Sequence, residues 1–165
     1  AGRDTTLFVK VTASTLGESR LADFIGERLK ATGVPGERLV LEMAESKVFT
    51  NLKVAQDFLS AVSAFGCRIA LEQFGSGLNS FQLLTHFDPA ILKIDRSFMG
   101  ELGKNPENQK RVKEIADRAR EIGKLSVAEF VQDAASMTVL FSCGVDFVEG
   151  HFLAAAGPDM NYDFG

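Results

Sequence analysis

The chain has 165 residues, 45% of them hydrophobic and 24% charged, with 18 Lys+Arg against 22 Asp+Glu and a net charge of −4. That is enough apolar material for one packed domain, and it excludes disordered, collagen-like and coiled-coil chains. The acidic balance argues against a surface tracking DNA or RNA phosphates, while a small anionic ligand in a local site stays compatible with it.

No apolar run approaches the roughly 18 residues of a membrane span, and the N-terminal AGRDTTLF lacks the apolar segment of a signal peptide. The expected compartment is the cytoplasm. Cys67 and Cys143 lie far apart without CxxC spacing and read as reduced core thiols. The aromatic set is lopsided, with 14 Phe, one Tyr and no Trp, so any phenylalanine outside the core becomes a stacking candidate.

In chain order, LFVKV (Leu7 to Val11) reads as a strand, and an apolar stripe of Leu21, Phe24, Ile25 and Leu29 as a helix. LVLEM (Leu39 to Met43) is a second strand, followed by a helix with Leu52, Ala55, Phe58, Leu59, Val62 and Phe65 on one face. CRIAL (Cys67 to Leu71) and ILKI (Ile91 to Ile94) are further strands. Asn105 caps a helix with Pro106 at its first position and Val112, Ile115, Ala116, Ala119 and Ile122 inward. LSVAE (Leu125 to Glu129), a helix from Asp133 through Phe141, and FVEGHF (Phe147 to Phe152) complete the pattern. Gly33, Gly66, Gly123 and Gly144 fall between helix and strand, where a left-handed residue is wanted. The tail from Gly157 is too short for its own core and is expected on the surface. Six strands alternating with helices predict an α/β fold with a parallel sheet, doubly wound or closed as a barrel.

Ligand sites in such folds lie at the carboxyl ends of the strands. There each run carries charge: Lys10, Glu42, Glu72, Lys93 with Asp95, Glu129 and Glu149. Carboxylates at that density suit a divalent metal, whereas an ammonium about 4 Å from such an ion is repelled by about 8 kcal/mol at an effective dielectric of 20. The same ammonium can neutralise a ligand phosphate instead. FGSG (Phe74 to Gly77) reads as a tight turn more than as a phosphate cradle. Phe130 stacks on a base or tucks into the helix layer. Glu42 and Glu45 have the alternative of pairing with basic neighbours and Lys93 of simply neutralising nearby glutamates, while Asp95-Arg96 either forms a structural ion pair or touches ligand. His86 and His151 are isolated and carry no assigned role.

The stretches FVKVTAS, LVLEMAES, IALEQFGSGLNS, DPAILKIDRSFM, VAEFVQD and DFVEGHFLAAAGP together make the chain resemble the EAL-domain family, phosphodiesterases of the second messenger cyclic di-GMP with a TIM-like (β/α) barrel. The resemblance implies that residues 1–165 form a partial, degenerate EAL domain whose N-terminal strands are absent from this sequence. It also implies that Glu42, Lys93 and Glu129 match retained family positions. Lys10 takes the place of a metal-ligand asparagine, Glu72-Gln73 that of paired aspartates, Phe130 that of a glycine and Gln132 that of a glutamate. Glu149 replaces the glutamine that precedes the glycine matched by Gly150.

The expectation is a catalytically inactive cyclic di-GMP receptor that needs no cofactor and holds no metal. Lys10, Glu129, Phe130, Glu149 and Gly150 are its expected ligand residues, with Glu42, Glu72, Gln73 and Lys93 as further candidates. Lys10 would neutralise a phosphate, Phe130 stack on a guanine and Glu129 accept from guanine N1 or N2. The substitutions and the closing MNYDFG resemble most a family branch that regulates type IV pilus biogenesis and twitching motility. That branch implies a PilZ-type adaptor and, through it, a pilus assembly ATPase as partners. The alternatives are a slow Mg²⁺- or Mn²⁺-dependent phosphodiesterase and a ligand-independent interaction module.

Overall fold

The computed structural model describes residues 5–18, 20–155 and 157. Its centre is a six-stranded parallel sheet in sequence order, curled into a half-barrel: β1 (Leu7–Lys10), β2 (Leu39–Ala44), β3 (Arg68–Phe74), β4 (Ile91–Ile94), β5 (Leu125–Ala128) and β6 (Phe147–Val148). Each strand pairs with the next, so β1 and β6 are the edges among the described residues. Helices α1 (Ala13–Leu16), α2 (Leu21–Thr32), α3 (Glu45–Thr50), α4 (Leu52–Ser63), α5 (Ser80–Leu83), α6 (Pro106–Glu121) and α7 (Ala134–Cys143) fill the connections. The closing MNYDFG falls outside the described residues.

Strand alternation sorts the core into two layers. Leu41, Met43, Ile69, Leu71, Leu92, Ile94 and Ala128 face the helices and join the main core with Val112, Ile115, Ala119 and Leu140. Val40, Ala70, Ile91 and Val127 form a separate small cluster with Ala90 and Leu125. Two residues beyond these four, on the same face, stand Glu42, Glu72, Lys93 and Glu129. The edges repeat the step with Phe8 before Lys10 and Phe147 before Glu149. An apolar layer thus floors a charged layer at the strands' carboxyl ends.

The caps behave as their residue types require. Asn105 Oδ1 accepts from the amides of Glu107 and Asn108, both at 3.1 Å, and Asp133 Oδ1 accepts from Ser136 at 2.7 Å. α7 continues past the expected Phe141 to Cys143, where Gly144 turns left-handed at φ 73°.

β1, β2 and β5 each end one residue from the expected position, and two strands differ by more. β3 runs on through Glu72, Gln73 and Phe74, because the charge of Glu72 is paired rather than solvated. Its register shifts there: Leu71 pairs with Leu92 but Phe74 with Ile94, which leaves one extra residue on β3, and Gln73 takes φ 58°. β6 pairs only over Phe147–Val148, not to Phe152. Beyond it, Glu149 donates to Ala128 O at 2.9 Å and accepts from Val131 at 3.0 Å. A regular parallel ladder would return that second bond to residue 130. The extra residue is accommodated with Phe130 at φ 59°.

Candidate ligand-binding site at the strand ends

Six side chains converge on the charged layer. Lys93 Nζ contacts Glu42 Oε1 at 2.5 Å, Glu129 Oε1 at 3.0 Å, Glu149 Oε2 at 3.1 Å and Glu72 Oε1 at 3.9 Å. Lys10 Nζ lies 3.0 Å from Glu72 Oε1. The side chains of Lys93, Glu42 and Glu129 are buried, whereas those of Lys10 and Glu149 are 71% and 52% exposed. β4 places Lys93 at the centre because its two neighbours each present a glutamate on the same face, Glu72 on β3 and Glu129 directly after β5. The reading of Lys93 as a neutraliser of surrounding glutamates therefore describes its geometry.

The protonation equilibria follow from burial and from these contacts. Burial disfavours charge on Lys93, but its hydrogen bonds to Glu42 and Glu129 outweigh that cost and hold the ammonium above its ordinary range. Burial lifts the Glu129 carboxyl to about 7, against the opposing pull of Lys93. Glu42 also rises through burial, again opposed by Lys93, and contact with Glu72 raises Lys10. Four carboxylates against two ammoniums leave excess negative charge at full ionisation, which a proton on Glu129 relieves.

Phe130 stands beside this ring with 46% of its surface exposed, so it is not tucked into the helix layer. The Arg96 guanidinium lies 5.4 Å from its ring centroid. Asp95 does not pair with Arg96; its Oδ1 accepts the Ser97 amide at 2.9 Å. Spacing along the chain gave no sign that Arg96 would meet Phe130, since it is the β4–β5 pairing that brings them together. Phe8 was also missed, and its ring centroid lies 5.7 Å from Lys93 Nζ. Its signal was present as the apolar residue two positions before Lys10. Gln73 is exposed at the β3 irregularity and is not among the ion-paired residues. Gly150 contributes through its missing side chain, because a Cβ there would sit 2.3 Å from Val131 O.

The FGSG segment is a turn whose polar groups are already engaged. Glu45 accepts from the Gly75 amide at 3.0 Å and from Ser80 Oγ at 2.6 Å, so Glu45 anchors this loop instead of pairing with a basic neighbour. Cavities of about 590 and 710 Å³ flank this loop, and neither is lined by the charged ring. Among the described residues no helix is long and apolar enough to cross a membrane, and no group of three His, Cys, Asp or Glu side chains is arranged to hold a metal ion.

The comparisons with known proteins bear on the fold and the family. A family model described as the EAL domain matches residues 1–156. The FimX EAL domain of Xanthomonas citri, solved in complex with c-diGMP, is 52% identical with a TM-score of 0.94, over 99% of this chain and 65% of that one. The FimX EAL domain of Pseudomonas aeruginosa, bound to c-di-GMP, is 33% identical with a TM-score of 0.92, over 98% of this chain and 66% of that one. The cyclic di-GMP phosphodiesterase PdeF of Escherichia coli is 28% identical over 150 residues, 91% of this chain but 20% of its own length. The chain thus spans about two thirds of these solved chains and a fifth of that relative. With nearly its whole length matched by the family model, the chain belongs to the EAL domain family.

Proposed function

We propose that the protein is a cyclic di-GMP receptor that has lost hydrolysis. The observation that carries this reading is the ion pair between Lys10 and Glu72 at 3.0 Å. By the family resemblance, Lys10 stands where active members place an asparagine that ligates metal. A divalent ion about 4 Å from its ammonium would be repelled by about 8 kcal/mol at an effective dielectric of 20. The Glu72 and Glu42 oxygens that would serve a metal are engaged by Lys10 and Lys93. The residues present do not fit a catalytic metal pair, and no metal-dependent step is assigned.

Ligand binding makes different demands, and the same residues meet them. Lys10, with most of its side chain in solvent, neutralises a phosphate. Phe130 offers an exposed ring to a guanine, and Glu129 and Glu149 supply acceptors for guanine N–H donors. Gly150 lets the chain leave β6 against Val131 without obstruction. Glu42, Glu72, Gln73 and Lys93 frame the site from within. The complexes of the two FimX domains with c-di-GMP support this choice of ligand. Following the resemblance to those domains, the bound state signals through a PilZ-type adaptor to a pilus assembly ATPase, controlling type IV pilus biogenesis and twitching motility.

Isothermal titration with cyclic di-GMP tests the reading. Saturable heat is expected, and no heat at high micromolar ligand overturns it. The phosphodiesterase relative favours slow hydrolysis as a second reading. Under that reading, Lys10→Asn combined with Gln73→Asp raises turnover in Mn²⁺; under the receptor reading the unsubstituted protein shows none.

A further inference from the structure

Arg96 directly follows Asp95 at the end of β4, and Phe130 follows Glu129 at the end of β5, the neighbouring strand. Both side chains are exposed, and the guanidinium lies 5.4 Å from the ring centroid. Little else engages them. Asp95 is committed to the Ser97 amide, and among the described residues Arg96 has no carboxylate partner. Phe130 holds its large apolar ring in solvent on a backbone with φ 59°, a region that is strained for a side chain with a Cβ. Strain concentrated at an exposed aromatic residue beside a buried charge cluster is characteristic of a ligand contact.

We propose that Arg96 and Phe130 form a two-sided clamp for one purine base of the ligand, with the guanidinium plane on one face and the phenyl ring on the other. The clamp rests on the cyclic di-GMP reading above and adds to it a residue for which the chain's spacing gave only two alternatives. Stacked bases lie roughly 3.4 Å apart, so a base between two planes needs about 7 Å. The present separation opens that far by a swing of about 2 Å at the end of a flexible side chain. A guanidinium stacks on purine faces as it does on aromatic rings, and its edge N–H groups stay free for ligand acceptors. Lysine carries the same charge without the plane, so Arg96→Lys separates stacking from charge attraction.

The chain has no tryptophan, so Phe130→Trp provides a single reporter. Cyclic di-GMP is titrated calorimetrically into the unsubstituted protein, Arg96→Lys and Arg96→Ala, and by emission into Phe130→Trp, with thermal melting as a fold control. Both Arg96 variants are expected to bind roughly tenfold more weakly at unchanged melting temperature. Ligand is expected to quench the tryptophan of Phe130→Trp. Full affinity in Arg96→Lys or in Arg96→Ala, or binding to Phe130→Trp without quenching, overturns the clamp alone. No binding to the unsubstituted protein overturns the receptor reading and the clamp with it.

Discussion

The charged ring has an inner and an outer half, built from the same residue types at the same step along successive strands. Lys93, Glu42 and Glu129 sit on the central strands or at their ends, with side chains no more than 8% exposed. Lys10 and Glu149 sit at the end of β1 and just past β6, and most of each side chain reaches solvent. Position in the sheet therefore divides the labour. Among the described residues, a lysine with a glutamate on or directly after each neighbouring strand becomes a fixed counterion for buried carboxylates, whereas Lys10, paired with Glu72 alone, keeps most of its side chain in solvent. On the receptor reading, the outward charges of Lys10 and Arg96 offset the buried carboxylates towards an anionic ligand.

The sharpest way to break this comparison is Lys93→Met. Glu42 and Glu129 would then be buried without their cation, and removing one partner of such a group costs about 3 to 5 kcal/mol. Urea denaturation should show that loss; a change under 1 kcal/mol would mean that the inner half is not structural.

The next effect in size is a pH dependence. Glu129 takes up its proton near pH 4.5 in the unfolded chain but near 7 in the folded one, so between those values the folded state binds more protons. Stability therefore falls as pH rises through that window and levels off above it, by at most about 3 kcal/mol. Glu129→Gln should flatten the slope in melting curves between pH 5 and 8. A slope that persists unchanged would assign the proton to another group.

Phe130→Gly sharpens the contrast by acting in opposite directions. It should relieve the left-handed strain and raise stability by about 1 kcal/mol or less after the entropy of glycine is subtracted, while weakening cyclic di-GMP binding by roughly ten- to a hundredfold. Lower stability together with intact affinity would place the ring in the core rather than on the ligand. The smallest structural effect belongs to Lys10→Ala. Stability should stay within about 0.5 kcal/mol, as expected for an exposed pair, while binding becomes several-fold weaker and less dependent on salt. An unchanged salt dependence in the titration would remove Lys10 from the phosphate contact.

Much of this architecture is legible in the residues, and the exceptions have physical causes. β4 was read to its exact bounds, because Ile91 to Ile94 is bounded by Pro89 and by the charge of Asp95. Gly33, Gly66, Gly123 and Gly144 all take positive φ as their positions required. The end of β3 was cut short because Glu72 looks like a loop start until Lys10 on another strand is known to pair with it. The irregularities at Gln73 and Phe130 depend on which carbonyl a neighbouring strand offers, information that local periodicity does not carry. The charges themselves were found from the strand ends. Their apolar floor was not, although Val40, Ala70, Ile91 and Val127 stand two positions before four of them. Arg96 was left between ion pair and ligand contact, because a contact across strands has no signature in spacing.

Incubation of the protein with cyclic di-GMP and Mn²⁺, followed by separation of bound and free nucleotide and chromatography of both, tests the central claim most directly. A saturable bound fraction recovered entirely as intact cyclic di-GMP is the predicted result. Accumulation of linear pGpG, or no bound nucleotide at high micromolar concentration, would contradict it.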